Sequence, residues 1–120
     1  MLVPYKSANR KIAMGLLSFM RKEKDVKRLL KTMEQYENDP DWKLYLWKED
    51  DYIGVIGVSI EGSEAKIRHI CVNPSFREEG IGTKMLASLK QMLPCEVKPT
   101  KYTKTFVAAC EEKEAEARKS

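Results

Sequence analysis

The sequence predicts a mixed α/β fold, an α+β arrangement built on a mixed sheet, in the order strand, two helices, three-strand meander, helix, strand, helix. Three observations carry that prediction. Apolar residues recur at helical spacing through the first third of the chain, and aromatic and β-branched residues crowd the stretch between 42 and 72. Helical spacing then returns after the turn Asn73-Pro74-Ser75. The 120 residues suit one domain, 1–120, with one core.

Leu2 to Tyr5 read as a first strand, which Pro4 confines to an edge because it has no N–H to give to a ladder. Ile12, Leu16 and Phe19, then Val26, Leu29, Leu30 and Met33, predict helices over about 9–20 and 24–37. Asn38-Asp39-Pro40-Asp41 ends the second. Trp42–Trp47 and Tyr52–Ile60 form a hairpin through Lys48-Glu49-Asp50-Asp51, and Ala65–Val72 follows after the turn Glu61-Gly62-Ser63. Gly54 and Gly57 mark a bulge or a close packing contact in the middle strand. Ile81, Met85, Leu86, Leu89, Met92 and Leu93 line one face of a helix that begins near Gly80 and stops before Pro94. Glu96–Lys98 is a minimal strand. A last helix starts near Tyr102 or Thr103, carries Phe106, Val107 and Cys110, and frays from Glu111 onward.

At 42% hydrophobic and 33% charged residues the composition excludes disorder and low-complexity architecture. No apolar run reaches the roughly 20 residues of a membrane span, and Met1 to Arg10 lacks the apolar segment of a signal peptide, so a cytoplasmic protein without a membrane partner is expected. Three cysteines at 71, 95 and 110, with no Cys-x-x-Cys pair, argue against a disulfide framework and a zinc site. The net charge of +4 is unevenly spread: +6 over residues 1–35, −6 over 36–64, and +5 over 65–110. That balance is too modest for a nucleic-acid-binding face, and no aromatic–basic interleaving accompanies it. The run Arg21 to Arg28 reads as a solvated helix face before it reads as a phosphate patch, while the acidic middle is suited to attract an amine.

The chemistry concentrates in Ile67-Arg68-His69-Ile70-Cys71-Val72-Asn73-Pro74-Ser75-Phe76-Arg77-Glu78-Glu79-Gly80-Ile81-Gly82-Thr83-Lys84. A strand ends in a proline turn, Arg-x-x-Gly-x-Gly follows, and a helix begins at once. Glycines there let a ligand approach the backbone, and the first-turn N–H groups and the helix dipole favour an anion such as pyrophosphate. Arg77 adds a charge-assisted donor and Lys84 a further cation. Neither the Gly-x-Gly-x-x-Gly dinucleotide fingerprint nor the Gly-Lys-Ser/Thr triphosphate loop fits, since Gly82-Thr83-Lys84 reverses the latter order.

This segment resembles the acetyl-CoA motif of the GCN5-related N-acetyltransferase (GNAT) superfamily, whose fold has the same element order. Residues 11–20, 46–50 and 67–74 further resemble small members of that superfamily encoded with riboflavin biosynthesis genes, which implies a link to riboflavin metabolism. The resemblance implies acetyl-CoA or coenzyme A as cofactor, transfer of an acetyl group to an amine of a small molecule or protein, and two splayed parallel strands near 65–72 and 95–98. It places pantetheine along Ile70, Cys71 and Val72, and pyrophosphate on Arg77, Glu78, Glu79, Gly80, Ile81, Gly82, Thr83 and Lys84. Cys71 also reads simply as a small buried hydrophobe.

The catalytic groups match the family less well. The glutamate of histone-type members falls on Lys66, which leaves His69 or Glu64 as candidate bases. A lone strand histidine is also an ordinary core residue. The tyrosine of the last helix falls on Val107, and Tyr102 is four or five residues away from that position. The polar tail 111–120 does not resemble the strands that close the acceptor site in longer members, so an open acceptor cleft, a homodimer that completes it, or a CoA-binding regulatory module without turnover are the alternatives.

Overall fold

The computed structural model describes residues 1–77 and 79–119. A five-stranded sheet runs in chain order: β1 (Leu2–Pro4), β2 (Trp42–Lys48), β3 (Tyr52–Glu61), β4 (Glu64–Val72) and β5 (Glu96–Pro99). Every neighbouring pair is antiparallel except β4 and β5. Helices α1 (Arg10–Leu17) and α2 (Val26–Asn38) precede β2, α3 (Ile81–Met92) crosses between β4 and β5, and α4 (Lys104–Lys119) follows β5. Short 3-10 turns at Ser7–Asn9, Arg21–Glu23 and Pro74–Phe76 complete the chain.

Two apolar clusters bracket the sheet. On one side Ile56, Val58, Ala65, Ile67, Ile70 and Val72 pack with Ile81, Met85, Leu86 and Leu89 of α3 and with Val107 and Cys110 of α4. On the other, Leu44, Leu46, Val55 and Cys71 pack with Ala13, Leu16 and Leu17 of α1 and with Leu29, Met33 and Tyr36 of α2. The expected face of α1 is rotated in the structure. Ile12 and Phe19 are 40% and 42% exposed, whereas Ala13 and Leu17 are fully buried. Val26 and Leu30 of α2 likewise face out, because the buried stripe runs Leu29, Met33, Tyr36. The last helix does not fray at Glu111 but continues to Lys119.

Asp25 caps α2, its Oδ1 accepting from the Lys27 N–H at 3.0 Å. Gly62, with φ +62°, and Ser63 make the two-residue turn between β3 and β4, a left-handed position that glycine enters without steric cost.

The glycines of β3 answer to side chains lying on them. A Cβ at Gly57 would collide with the hydroxyl end of the Tyr36 ring, and one at Gly54 would meet Met85 Sδ at 2.6 Å. Opposite Gly57 the register slips. Gly57 pairs with His69 and Val58 with Ile67, so Arg68 is an extra residue on β4. That bulge turns His69 and Cys71 toward α1 and α2, while Ile70 and Val72 stay with Ile67 on the α3 face.

Candidate functional site

Beyond the bulge, β4 loses its second neighbour. The parallel pairing with β5 ends at Ile67 opposite Pro99, whereas β4 continues to Val72 with β3 alone beside it. Two threonines hold the fork. The hydroxyls of Thr100 and Thr103 both donate to the Ile67 carbonyl, at 3.0 and 2.9 Å, and Thr103 is buried. This carbonyl would otherwise be stranded where β5 departs, at a cost of about 1–3 kcal/mol. Ile70 to Val72 therefore line the opening, with a strand edge free to accept an extended ligand.

Two adjacent cavities occupy the opening. One cavity of about 340 Å³ is walled by Val72, Phe76, Arg77, the start of α3 (Ile81, Gly82 and Thr83) and the α4 residues Phe106, Cys110 and Lys113. A second, of about 230 Å³, lies toward the α1–α2 connection and is walled by Phe19, Met20, Arg21, Ile70, Cys71 and Tyr102. Val72, Arg77 and Phe106 belong to both. Phe19, Tyr102 and Phe106 are among the most exposed large apolar side chains described, and all three converge here.

The loop before α3 has the geometry of an anion cradle. Gly80 caps the helix at φ +77°, a left-handed position with open space around it. The first α-helical hydrogen bond runs from the Lys84 N–H to the Gly80 carbonyl at 3.0 Å, so the N–H groups of Ile81, Gly82 and Thr83 have no acceptor within the helix. Gly82 serves a different purpose. Its Cβ would stand 2.6 Å from Phe106 Cε1 and 3.3 Å from Cys110 Sγ, so the missing side chain lets α4 close on α3 and form the cavity wall. Arg77 sits in extended backbone at the rim.

The expected site residues are brought together only in part. Ile70, Cys71, Val72, Arg77, Gly80, Ile81, Gly82 and Thr83 line the cleft. Lys84 and Glu79 are exposed and form no part of its walls, and Glu78 lies outside the described residues. Lys113, which no motif singled out, does line it. Burial pushes the Cys71 thiol up to about 12, which fits a packing residue and not a nucleophile.

Neither candidate base opens onto the cleft. Glu64 stands at the closed end of the fork, 3.0 Å from Lys98, and its carboxyl is held below the usual range by that ammonium. His69 is 2% exposed with both ring nitrogens engaged. Its Nδ1 lies 2.5 Å from the Tyr36 hydroxyl and its Nε2 3.0 Å from Glu23 Oε1. Glu23, 1% exposed, also accepts from the Thr32 hydroxyl. A single proton arrangement satisfies every member: Tyr36 donates to Nδ1, neutral His69 donates from Nε2, and Glu23 is ionised. Burial holds the His69 imidazolium below its ordinary value, against the pull of Glu23. Val107, at the family's tyrosine position, is 3% exposed in the core.

Tyr102, four or five residues from the family's tyrosine position, lies at the cleft. It reaches the second cavity from the loop ahead of α4. The Lys101 and Arg28 cations beside its hydroxyl pull the phenol below its ordinary value. Helical counting misplaced it because α4 begins only at Lys104.

A sheet forked at a bulged strand, with a helix N-terminus aimed into the fork, is the acyl-CoA N-acyltransferase architecture. The model of the acetyltransferase (GNAT) family matches residues 10–117, and the chain belongs to that family. It is 51% identical over 114 residues to an uncharacterized N-acetyltransferase in the lysA 3′ region of Bacillus methanolicus, covering 92% of this chain and 95% of that one. Among solved structures it is similar to AAC(6′)-Iy in complex with the bisubstrate analogue CoA-S-monomethyl-acetylneamine. That match has a TM-score of 0.75 at 14% identity, over 95% of this chain and 87% of the other. A GNAT family acetyltransferase from Elizabethkingia anophelis with acetyl-CoA bound matches with a TM-score of 0.60 at 22% identity, over 76% and 55% of the two chains.

Proposed function

We propose that the chain binds acetyl-CoA in the forked cleft and acetylates the amine of an acceptor entering from the α1–α2 side. The observation that carries this reading is the wall that the two cavities share. The free edge of β4 leads directly to the unbonded N–H groups of Ile81, Gly82 and Thr83, with Arg77 at the junction. An extended pantetheine arm suits the edge of Ile70 to Val72, and a pyrophosphate suits the helix start. Phe106 packs over Gly82 and closes the cavity on the α4 side. When bound, acetyl-CoA supplies an activated acyl group.

The chain's own residues then have separate tasks. Tyr102 holds a proton on its hydroxyl at the cleft wall and would be placed to give it to a leaving thiolate. Among the described residues no carboxylate or imidazole lines the cleft, so the acceptor's own proton leaves through water. His69 acts as a positioning residue: with Tyr36 and Glu23 it locks the 3-10 turn Arg21–Glu23, and hence Arg21 and Met20, over the cleft. The resemblance to riboflavin-operon acetyltransferase-like proteins of the RibT group extends this reading to an acceptor from riboflavin metabolism.

Calorimetry with acetyl-CoA tests the binding step. Wild type should bind, and Arg77→Glu should weaken binding at least tenfold; no binding by wild type refutes the proposal. Coenzyme A release with a panel of amines tests transfer. The disengaged positions of His69 and Glu64 favour a second reading, a CoA-binding module without turnover, and binding without release for any amine would support it.

A further inference from the structure

We propose that the acceptor carries an anionic group, a carboxylate or a phosphate, besides its amine, and that Arg21, Lys22, Arg28 and Lys101 receive that anion at the mouth of the cleft. The inference rests on the acyl-transfer reading and specifies what enters its open side.

Three cations from three separate parts of the chain meet around Tyr102, and a fourth shares the wall of its cavity. Lys22 Nζ lies 4.3 Å from the centroid of the Tyr102 ring and Lys101 Nζ lies 5.0 Å from it. Arg28 stands beside the Tyr102 hydroxyl, and Arg21 itself walls the cavity. Among the described residues Arg21, Lys22 and Lys101 form no salt bridge. Among the described residues the carboxylate paired with this group is Glu23, 3.9 Å from Arg28 Nε, but it is buried and committed to His69 and Thr32. Burial first, then the charges of Arg28 and Arg68, hold the Lys22 ammonium below its ordinary value against the opposing pull of Glu23. An anion seated among these groups would relieve their mutual repulsion.

The acidic middle of the chain does not offset this field. Glu61 and Glu64 pair with Arg68 and Lys98 near the β3–β4 turn, and Glu37 pairs with Arg10. None of these three lines the cleft. A polycation such as neamine would be repelled by the mouth of this cleft. An amine with one acid group and an apolar body is matched instead, its body lying on Phe19, Met20, Tyr102 and Phe106.

The test is a chemical-shift titration of the coenzyme A-saturated protein with phenylalanine, phosphoethanolamine, phenethylamine and neamine. The first two should move the Arg21 and Tyr102 resonances at concentrations at least tenfold lower than phenethylamine, and neamine should move neither. Comparison of the first two assigns the anion as carboxylate or phosphate. The double variant Lys22→Glu, Lys101→Glu should abolish the preference. Equal or tighter response to phenethylamine or neamine, or an anion preference that survives the double variant, overturns the proposal. Failure of coenzyme A to saturate the protein would overturn the cofactor reading alone, because the same resonances followed in the free protein still decide the anion preference.

Discussion

Gly82→Ala isolates the contact that builds the cleft wall. The added methyl would lie 2.6 and 2.7 Å from Cε1 and Cζ of Phe106 and 3.3 Å from Cys110 Sγ. Carbon atoms in contact prefer about 3.5–4.0 Å, so the ring or α4 must retreat by roughly 1 Å. Phe106 is 37% exposed and can swing partly into solvent, which places the cost at about 1–2 kcal/mol, the lower part of the range for overpacking. For a chain of this length that lowers the melting temperature by about 4–8 °C. Urea denaturation of wild type, Gly82→Ala, Phe106→Ala and the double variant completes the cycle. Without the ring, alanine brings only its helix propensity, so Gly82→Ala becomes neutral or stabilising by up to about 1 kcal/mol. Additivity within about 0.5 kcal/mol would refute the packing role assigned to Gly82.

Four further outcomes are expected. Tyr36→Phe leaves Nδ1 of buried His69 without its donor and should cost about 1–3 kcal/mol by urea denaturation. Thr103→Val should cost about 1 kcal/mol and shift the Arg68 to Val72 amide resonances, because the Ile67 carbonyl keeps only Thr100 as donor and the Thr100 N–H loses its acceptor. The folded chain binds a proton at His69 less readily than the unfolded one. Its contribution is therefore full above the ordinary imidazole value of 6.5 and is lost as pH falls below it, so urea midpoints measured from pH 8 to 5 should decline below about 6.5, and less steeply in His69→Gln. Alkylation at pH 8 followed by mass spectrometry should modify half-buried Cys95 before the buried Cys71 and Cys110.

Element types were legible because each strand and helix carries a strong period, and the forked loop was legible because Arg77, Gly80 and Gly82 stand at fixed intervals before α3. The buried face of α1 was not. Two alanine- and leucine-sized residues, Ala13 and Leu17, fit closer to the sheet than Ile12 and Phe19, and periodicity alone does not rank them. The bulge at Arg68 was equally hidden. Straight alternation would place His69 on the face of Ile67, whereas one extra residue sends it across the sheet to Tyr36 and Glu23. Glu23 lay inside a charged run that reads as solvated surface, and only its long-range partners, 46 residues away at His69, explain its burial. Tyr102 stands just ahead of the last helix, since the turn formed by Thr100 and Thr103 delays the helix start to Lys104.

The central claim is that one ligand spans the free edge of β4 and the start of α3. Backbone amide resonances followed during an acetyl-CoA titration test it most directly. The account predicts that Ile70, Cys71 and Val72 shift together with Ile81, Gly82 and Thr83 along a single saturation curve, and that Arg77→Glu weakens both sets alike. Saturable shifts confined to some other surface, or none at all, would contradict it.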